Sequence, residues 1–148
     1  MKIIMIEPDT IRLLRECDAG IKMGVDAIDD VLDYTQNNSL RQCLVDCKNR
    51  HIVLKDEIRI LLNNYHDEGK DPSPMAKSMS WMKTNVKLVM NESDNTIADL
   101  ITDGCNMGVK SLSKFLNQFK AADEQSKDIT KRLITLEEKL VGQMRPFL

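Results

Sequence analysis

The sequence predicts an all-α fold, a bundle of four long helices built from two related hairpins. Apolar residues recur at alternating spacings of three and four along four long stretches, which is typical of helices with one buried face. The 148 residues include nine Met but only six aromatic residues, a composition that favours a helical core over a β-sandwich. The chain also repeats itself at an offset of 84 residues, since Gly20 to Val25 returns as Gly104 to Val109. This length fits a single domain, residues 1–148.

The repeat extends beyond the glycines into the apolar residues of two helices. Leu13, Ile28, Val31 and Leu32 match residues at the same offset, which are Ile97, Leu112, Phe115 and Leu116. Each copy contains a Gly-x-x-x-Gly motif, formed by Gly20 and Gly24 in the first copy and by Gly104 and Gly108 in the second. Two small residues one turn apart let helix backbones approach closely. We therefore expect the first and third long helices to pack closely at these glycines.

The first two helices are predicted over residues 8–36 and 39–67. Pro8 suits a first helical turn, and Asn37-Asn38-Ser39 interrupts the pattern. Ser39 is the expected N-cap of the second helix and Gly69 its expected stop. The inward face of the second helix is apolar except for His51.

A crossing segment follows, because Glu68 to Pro74 contains Gly69 and two prolines. A short helix is predicted over residues 75–90, where Trp81 and Leu88 form a second apolar stripe beside a methionine-rich one. Large apolar groups on two sides of one helix indicate a contact surface, so we expect a homodimer or higher homo-oligomer that uses Trp81 and Leu88. The alternative is that Trp81 packs on the second helix of its own chain.

The last two long helices are predicted over residues 95–120 and 124–144, with Pro146 ending the second of them. Both hairpin loops are short, near Asn37 and Ala122. The connection from Glu68 to Ser93 is long enough to cross the bundle from end to end. One long crossover between two hairpins is the ferritin-like connectivity.

Charge and targeting features exclude several functional classes. The 21 Lys and Arg residues against 23 Asp and Glu residues give a net charge of −2, without a basic block that could bind nucleic acid. The apolar stretch Met1 to Ile6 is too short for a signal peptide or a membrane span, so we expect a cytoplasmic protein. The four cysteines lie in helical patterns and are expected to be free thiols. Cys43 and Cys47 lie one turn apart, a spacing that suits a soft metal, although small core residues are the commoner explanation.

Short motifs across nearly the whole chain carry a family resemblance. They are Cys17 to Gly20, Asn49 to His51, Asp56 to Ile58, Gly69 to Pro72, Trp81 to Lys83, Asp103-Gly104, and the stretch from Phe119 to Leu140. In these residues the chain resembles a family of uncharacterised bacterial ferritin-like proteins distantly related to rubrerythrin. The resemblance implies a four-helix bundle that descends from di-iron proteins.

The same resemblance implies that the di-metal site is degenerate. The family tends to have an acidic residue directly after the glycine in the first and third helices, where this chain has Ile21 and Cys105. Di-iron relatives also use Glu-x-x-His motifs, but His51 and His66, the two histidines here, follow Lys48 and Asn63 at that spacing. We therefore expect no cofactor, no catalytic residues and no enzymatic activity, and instead an interaction or structural protein whose partner the sequence does not name.

His51 is the one polar residue in the inward face of its helix. We expect it to be buried, neutral and hydrogen-bonded. The alternative is a divergent metal-binding protein with a single ion at His51 and Cys47, assisted by Glu137 and Asp18, which lie at the edges of their apolar stripes. A third reading is a peripheral membrane protein that uses the methionine-rich helix.

Overall fold

The computed structural model describes residues 2–73 and 93–148, the first six of them by backbone alone. These residues form four α-helices, named α1 to α4, and a short 3₁₀ helix at the carboxyl end. Their bounds are Lys2–Leu32 (α1), Asn38–Asn63 (α2), Asp94–Gln118 (α3), Glu124–Met144 (α4) and Arg145–Phe147 (3₁₀). The prediction of an all-α fold is confirmed: the described residues contain helices and no strand. The short helix predicted over residues 75–90 lies outside the described residues.

α1 starts earlier and ends earlier than predicted. It begins at Lys2, so Pro8 lies inside the helix and not in its first turn. It ends at Leu32, because the following residues form a turn that side chains stabilise. The Thr35 hydroxyl donates to the Val31 carbonyl at 2.9 Å, and the Asp94 carboxylate accepts from the backbone N–H groups of Gln36 and Asn37, each at 3.0 Å.

α2 is capped by different residues from those predicted. Asn37, not Ser39, is the N-cap, and its side chain accepts from the N–H groups of Ser39 and Leu40. The helix stops before Gly69, because His66 has a φ of 56° and its N–H donates to the Asn63 carbonyl. The next N–H, that of Asp67, donates to the Leu62 carbonyl, which completes a Schellman motif with a histidine in the left-handed position.

The second hairpin is closer to its prediction. α3 spans Asp94–Gln118 instead of residues 95–120, and Ser93 caps it by accepting from the Thr96 N–H. α4 has the predicted bounds, with Asp123 accepting from the Ser126 N–H at its start. Ser and Asp are preferred at this position because their side chains satisfy a first-turn N–H group that has no partner within the helix.

The helix order in space follows from contacts at the two ends of the bundle. At one end, Asp94 at the start of α3 binds the loop between α1 and α2. At the other end, the Asp123 N–H donates to the Thr10 hydroxyl of α1 at 2.9 Å, and Asp67 after α2 pairs with Arg15. α1 packs beside α2 and α3, and α4 packs beside α3 and α2. α2 therefore ends at the opposite end of the bundle from the start of α3, so the two helices are parallel.

Two apolar clusters fill the described interior, and each draws on all four helices. The cluster toward the Asp94 end is centred on Ile28, Val31, Leu40, Leu44, Ile97, Ile101, Leu140 and Met144. The cluster toward the Thr10 end is centred on Leu13, Leu14, Ile21, Leu54, Ile58, Leu112, Ile129 and Leu133. On α2 the change from one cluster to the other falls at His51, and on α4 it falls at Glu137. Two ionisable side chains therefore lie between the two apolar halves of the core.

Candidate functional site

His51 is the buried polar side chain at the centre of α2, and it is 2% exposed. Its Nδ1 lies 2.8 Å from the Cys47 carbonyl oxygen one turn earlier, and 3.5 Å from the Cys47 Sγ. A carbonyl oxygen only accepts, so Nδ1 carries a proton and donates it to that oxygen. The other ring nitrogen, Nε2, consequently points away from α2 toward the centre of the bundle.

Glu137 of α4 faces that nitrogen. Its Oε1 lies 3.9 Å from His51 Nε2, and the residue is 9% exposed. Neither His51 Nε2 nor Glu137 Oε2 has a hydrogen-bond partner among the described residues, although both atoms are buried. A buried polar atom without a partner is costly. Among the described residues the Ser126 hydroxyl oxygen is the third such atom, but only His51 and Glu137 are ionisable and face one another.

Electrostatics favour a charged imidazole at this position. Burial alone would lower the pKa of His51, but the Cys47 side chain, the Glu137 carboxylate and the Cys47 carbonyl outweigh it and raise the pKa to about 10. His51 is buried and hydrogen-bonded, as expected from the sequence. The raised pKa favours a charged ring at pH 7, against the expectation of a neutral one, because Cys47 and a carboxylate from another helix lie beside it.

The surroundings of the two Gly-x-x-x-Gly motifs differ from the close helix packing that the sequence predicts. A Cβ atom built on Gly24 would lie 3.3 Å from His51 Nε2, and one built on Gly108 would overlap Glu137 Oε2 and lie 2.9 Å from its Cδ. A Cβ on Gly20 or Gly104 would contact nothing within 4 Å. The prediction of close helix packing at all four glycines is therefore wrong. Gly20 and Gly104 are exposed, and the second glycine of each motif leaves space for an ionisable side chain.

Three thiols lie in the core around the pair. The Cys17 Sγ is 3.2 Å from the Thr130 hydroxyl, and burial raises the pKa of Cys17 to about 11. Burial also raises the pKa of Cys105, and the negative charge of Glu137 adds to the effect. Cys47, beside His51, is buried as well, and all four cysteines of the chain are free. Cys17 and Cys105 are therefore protonated at neutral pH and do not supply a countercharge to His51.

Asp18 does not join this cluster. Its carboxylate accepts from the Lys70 N–H at 3.0 Å and pairs with Lys22 at 2.9 Å. It therefore faces the segment after α2 rather than His51, and the expectation that Asp18 leans toward His51 is wrong. Gly69 fits against this carboxylate because a Cβ there would overlap Asp18 Oδ2, and its φ of 88° also requires glycine.

The positions where di-iron relatives have acidic residues lie inside the bundle. Ile21 and Cys105, which follow the first glycine of each motif, are both buried in the bundle interior. Within the part of the chain that the structure describes, no group of three or more His, Cys, Asp or Glu side chains is arranged to hold a metal ion. Trp81 and Leu88, the predicted oligomer contacts, lie outside the described residues.

Sequence reasoning missed one surface feature, the outward face of α2. Three branched apolar residues on this face are exposed, Ile52, Val53 and Ile60, with Val53 60% and Ile60 64% exposed. We call them the α2 apolar patch. Charged residues, Arg50, Asp56 and Arg59, are exposed on α2 among these apolar side chains. The outward face of α4, the matching helix of the second hairpin, exposes polar and charged side chains without large apolar ones, namely Asp128, Lys131, Arg132, Thr135, Glu138 and Lys139. Val53 and Ile60 lie seven residues apart, a spacing that could have revealed the patch.

Comparison of the chain with protein-family models, with curated proteins and with solved structures gave no match. None of the helices in residues 2–73 and 93–148 combines the length and the apolar character that a membrane span requires.

Proposed function

We propose that this protein is a ferritin-like helical bundle of the bacterial family that its sequence resembles. In this proposal it has lost the di-metal centre, has no catalytic role, and acts in the cytoplasm through its surface as an interaction or structural protein. The arrangement of the helices supports the fold assignment. α1 and α4 are each flanked by the same two helices, and α2 ends at the opposite end of the bundle from the start of α3, as one long crossover requires.

The interior donor set supports the loss of the di-metal centre. Ile21 and Cys105 occupy the positions where the family places acidic residues. Both are buried, and they provide an aliphatic side chain and a thiol instead of two carboxylates. Hard cations such as iron are held by several carboxylates together with imidazoles. Elemental analysis of protein purified without chelator tests this point. We expect fewer than two metal equivalents per chain, and two equivalents of iron would contradict the proposal.

The α2 apolar patch is the observation that carries the interaction role. Contact with a partner would remove the exposed apolar surface of these side chains from water, which is favourable. A partner that covers Val53 and Ile60 would bury two side chains that are more than half exposed. The partner we propose is a second copy of this chain, because two-fold pairing is the commonest assembly of soluble proteins.

Sedimentation velocity tests this role directly. We expect the wild type to associate and Val53→Glu/Ile60→Glu to shift toward the monomer with an unchanged helical spectrum. Thr135→Glu, on the outward face of α4, is the matched control and should associate as the wild type does. Monomers for all three proteins at high concentration would contradict self-association through this face. Trp81→Glu, measured alongside, tests whether the predicted contact at Trp81 and Leu88 contributes separately.

A second candidate function is the binding of a single metal ion near His51. The observation that favours it is the facing pair of buried atoms without partners, His51 Nε2 and Glu137 Oε2, with the Cys47 thiol close to the other ring nitrogen. Cobalt(II) titration followed by visible absorption tests it. Visible cobalt(II) absorption bands that appear with the wild type and not with His51→Gln would support this function, and the absence of such bands from the wild type would exclude a cobalt-accessible site at these residues.

A further inference from the structure

We infer that His51 and Glu137 form a buried charged pair that joins the two hairpins, and that the second glycine of each repeated motif provides space for one of these side chains. This inference goes beyond the proposed function, because it holds whether or not the protein associates. It is an alternative to the single metal ion, since a proton and a metal ion cannot both occupy His51 Nε2. It assigns a role to Gly24 and Gly108 that differs from that of Gly20 and Gly104. It also gives a structural role to the imidazole and the carboxylate at the junction of the two apolar clusters.

The geometry is equivalent in the two hairpins. In the first hairpin, Gly24 of α1 faces His51 of α2, which follows it by 27 residues. In the second, Gly108 of α3 faces Glu137 of α4, which follows it by 29 residues. Each glycine therefore receives the polar side chain of its own hairpin, and the two side chains meet at 3.9 Å between the hairpins. A methyl group at Gly108 would displace Glu137 from that position.

The surrounding groups favour a charged pair over two neutral side chains. The titratable groups that face the pair are Cys47 on the same helix as His51, Cys17 on α1 and Cys105 on α3. Cys17 and Cys105 are buried thiols that stay protonated, whereas Glu137 on α4 is a carboxylate directed at the ring. Because Nδ1 already donates to the Cys47 carbonyl, a proton on Nε2 is the one that can interact with Glu137.

A glycine substitution series tests the space requirement. Gly108→Ala should lower the folding equilibrium constant several-fold, because the Glu137 carboxylate must turn away from His51 to make room for the new methyl group. Gly104→Ala, one turn away in the same helix and in open space, is the matched control and should raise it or leave it unchanged. In a Glu137→Ala background the effect of Gly108→Ala should shrink several-fold, because the clashing group is gone. Equal effects of the two glycine substitutions, or an effect of Gly108→Ala that Glu137→Ala does not reduce, would overturn the inference.

Nitrogen-15 NMR of the His51 ring tests the charge without relying on the stability of the glycine variants. In the full-length wild type, both ring nitrogens should remain protonated at pH 8. In Glu137→Gln, which keeps the size of the side chain and removes its charge, the proton affinity of His51 should fall at least tenfold. EDTA should change neither result. A wild-type ring that loses its second proton near pH 6.5, or equal proton affinities in the two proteins, would show that the pair is not charged.

Discussion

Replacement of His51 by leucine should destabilise the protein in a strongly pH-dependent way. A neutral core histidine could be exchanged for leucine at little cost, but the structure places the Glu137 carboxylate 3.9 Å from the ring in a buried site. His51→Leu would leave that carboxylate buried without a countercharge. Loss of one partner of a buried ion pair costs about 3–5 kcal/mol.

Protonation of Glu137 sets an upper limit to this cost in the variant. A glutamate in an unfolded chain titrates near pH 4.3, so protonating it at pH 7 costs about 4 kcal/mol, and at pH 5 about 1 kcal/mol. We therefore expect His51→Leu to lower the free energy of unfolding by about 4 kcal/mol at pH 7 and by about 1 kcal/mol at pH 5. Removing both charges with His51→Leu/Glu137→Leu should restore most of the stability at pH 7.

Urea unfolding followed by circular dichroism at both pH values measures these differences. The slope of the free energy against urea must stay constant between variants for the comparison to hold. A loss that is the same at pH 5 and pH 7, or a His51→Leu variant as stable as the wild type at pH 7, would refute the charged-pair reasoning.

Three further predictions follow from the geometry. The pKa of His51 is raised from 6.5 to about 10, so its contribution to the free energy of unfolding is fully present below pH 6.5 and is lost as the pH rises through about 10. Urea titrations from pH 6 to 10 should show this decline in the wild type and not in His51→Leu/Glu137→Leu, which lacks both charges. His66→Gly should raise stability by about 0.5–1 kcal/mol, since φ is 56° there, and calorimetry that shows a lower melting temperature would contradict it. Gly69→Ala should lower the free energy of unfolding by more than about 1 kcal/mol, because φ is 88° there and the new Cβ would overlap Asp18. Gly142→Ala, where a Cβ would lie in open space, is the control and should not lower it; equal melting temperatures of the two variants would refute this.

Hydrophobic periodicity predicted the all-helical fold and the bounds of α4, because apolar stripes at helical spacing must face a core. It could not predict the direction of side chains at the edge of a stripe. Asp18 and Glu137 occupy similar edge positions, yet Asp18 turns toward the Lys70 N–H and Glu137 toward the bundle centre. Which way such a side chain turns depends on what the neighbouring segments present, and these contacts are distant in sequence.

The glycine motifs show the same limit. Residues four apart on a helix are rotated by about 40° from one another, so two glycines one turn apart need not share a face. That rotation leaves Gly20 exposed while Gly24 lies against His51. The end of α2 could not be predicted for a different reason. His66 occupies the left-handed position that usually holds glycine, and a histidine in the sequence does not indicate a left-handed backbone.

The division of the interior into two apolar clusters has a consequence for how the protein unfolds. Each cluster takes side chains from α1, α2, α3 and α4, so neither hairpin can complete either cluster alone. Separation of the hairpins would therefore expose both clusters at once, and no half of the described bundle retains a closed apolar interior. Amide hydrogens in the middle of all four helices should consequently exchange with similar opening free energies, as expected for one cooperative unit rather than two hairpins that open in turn.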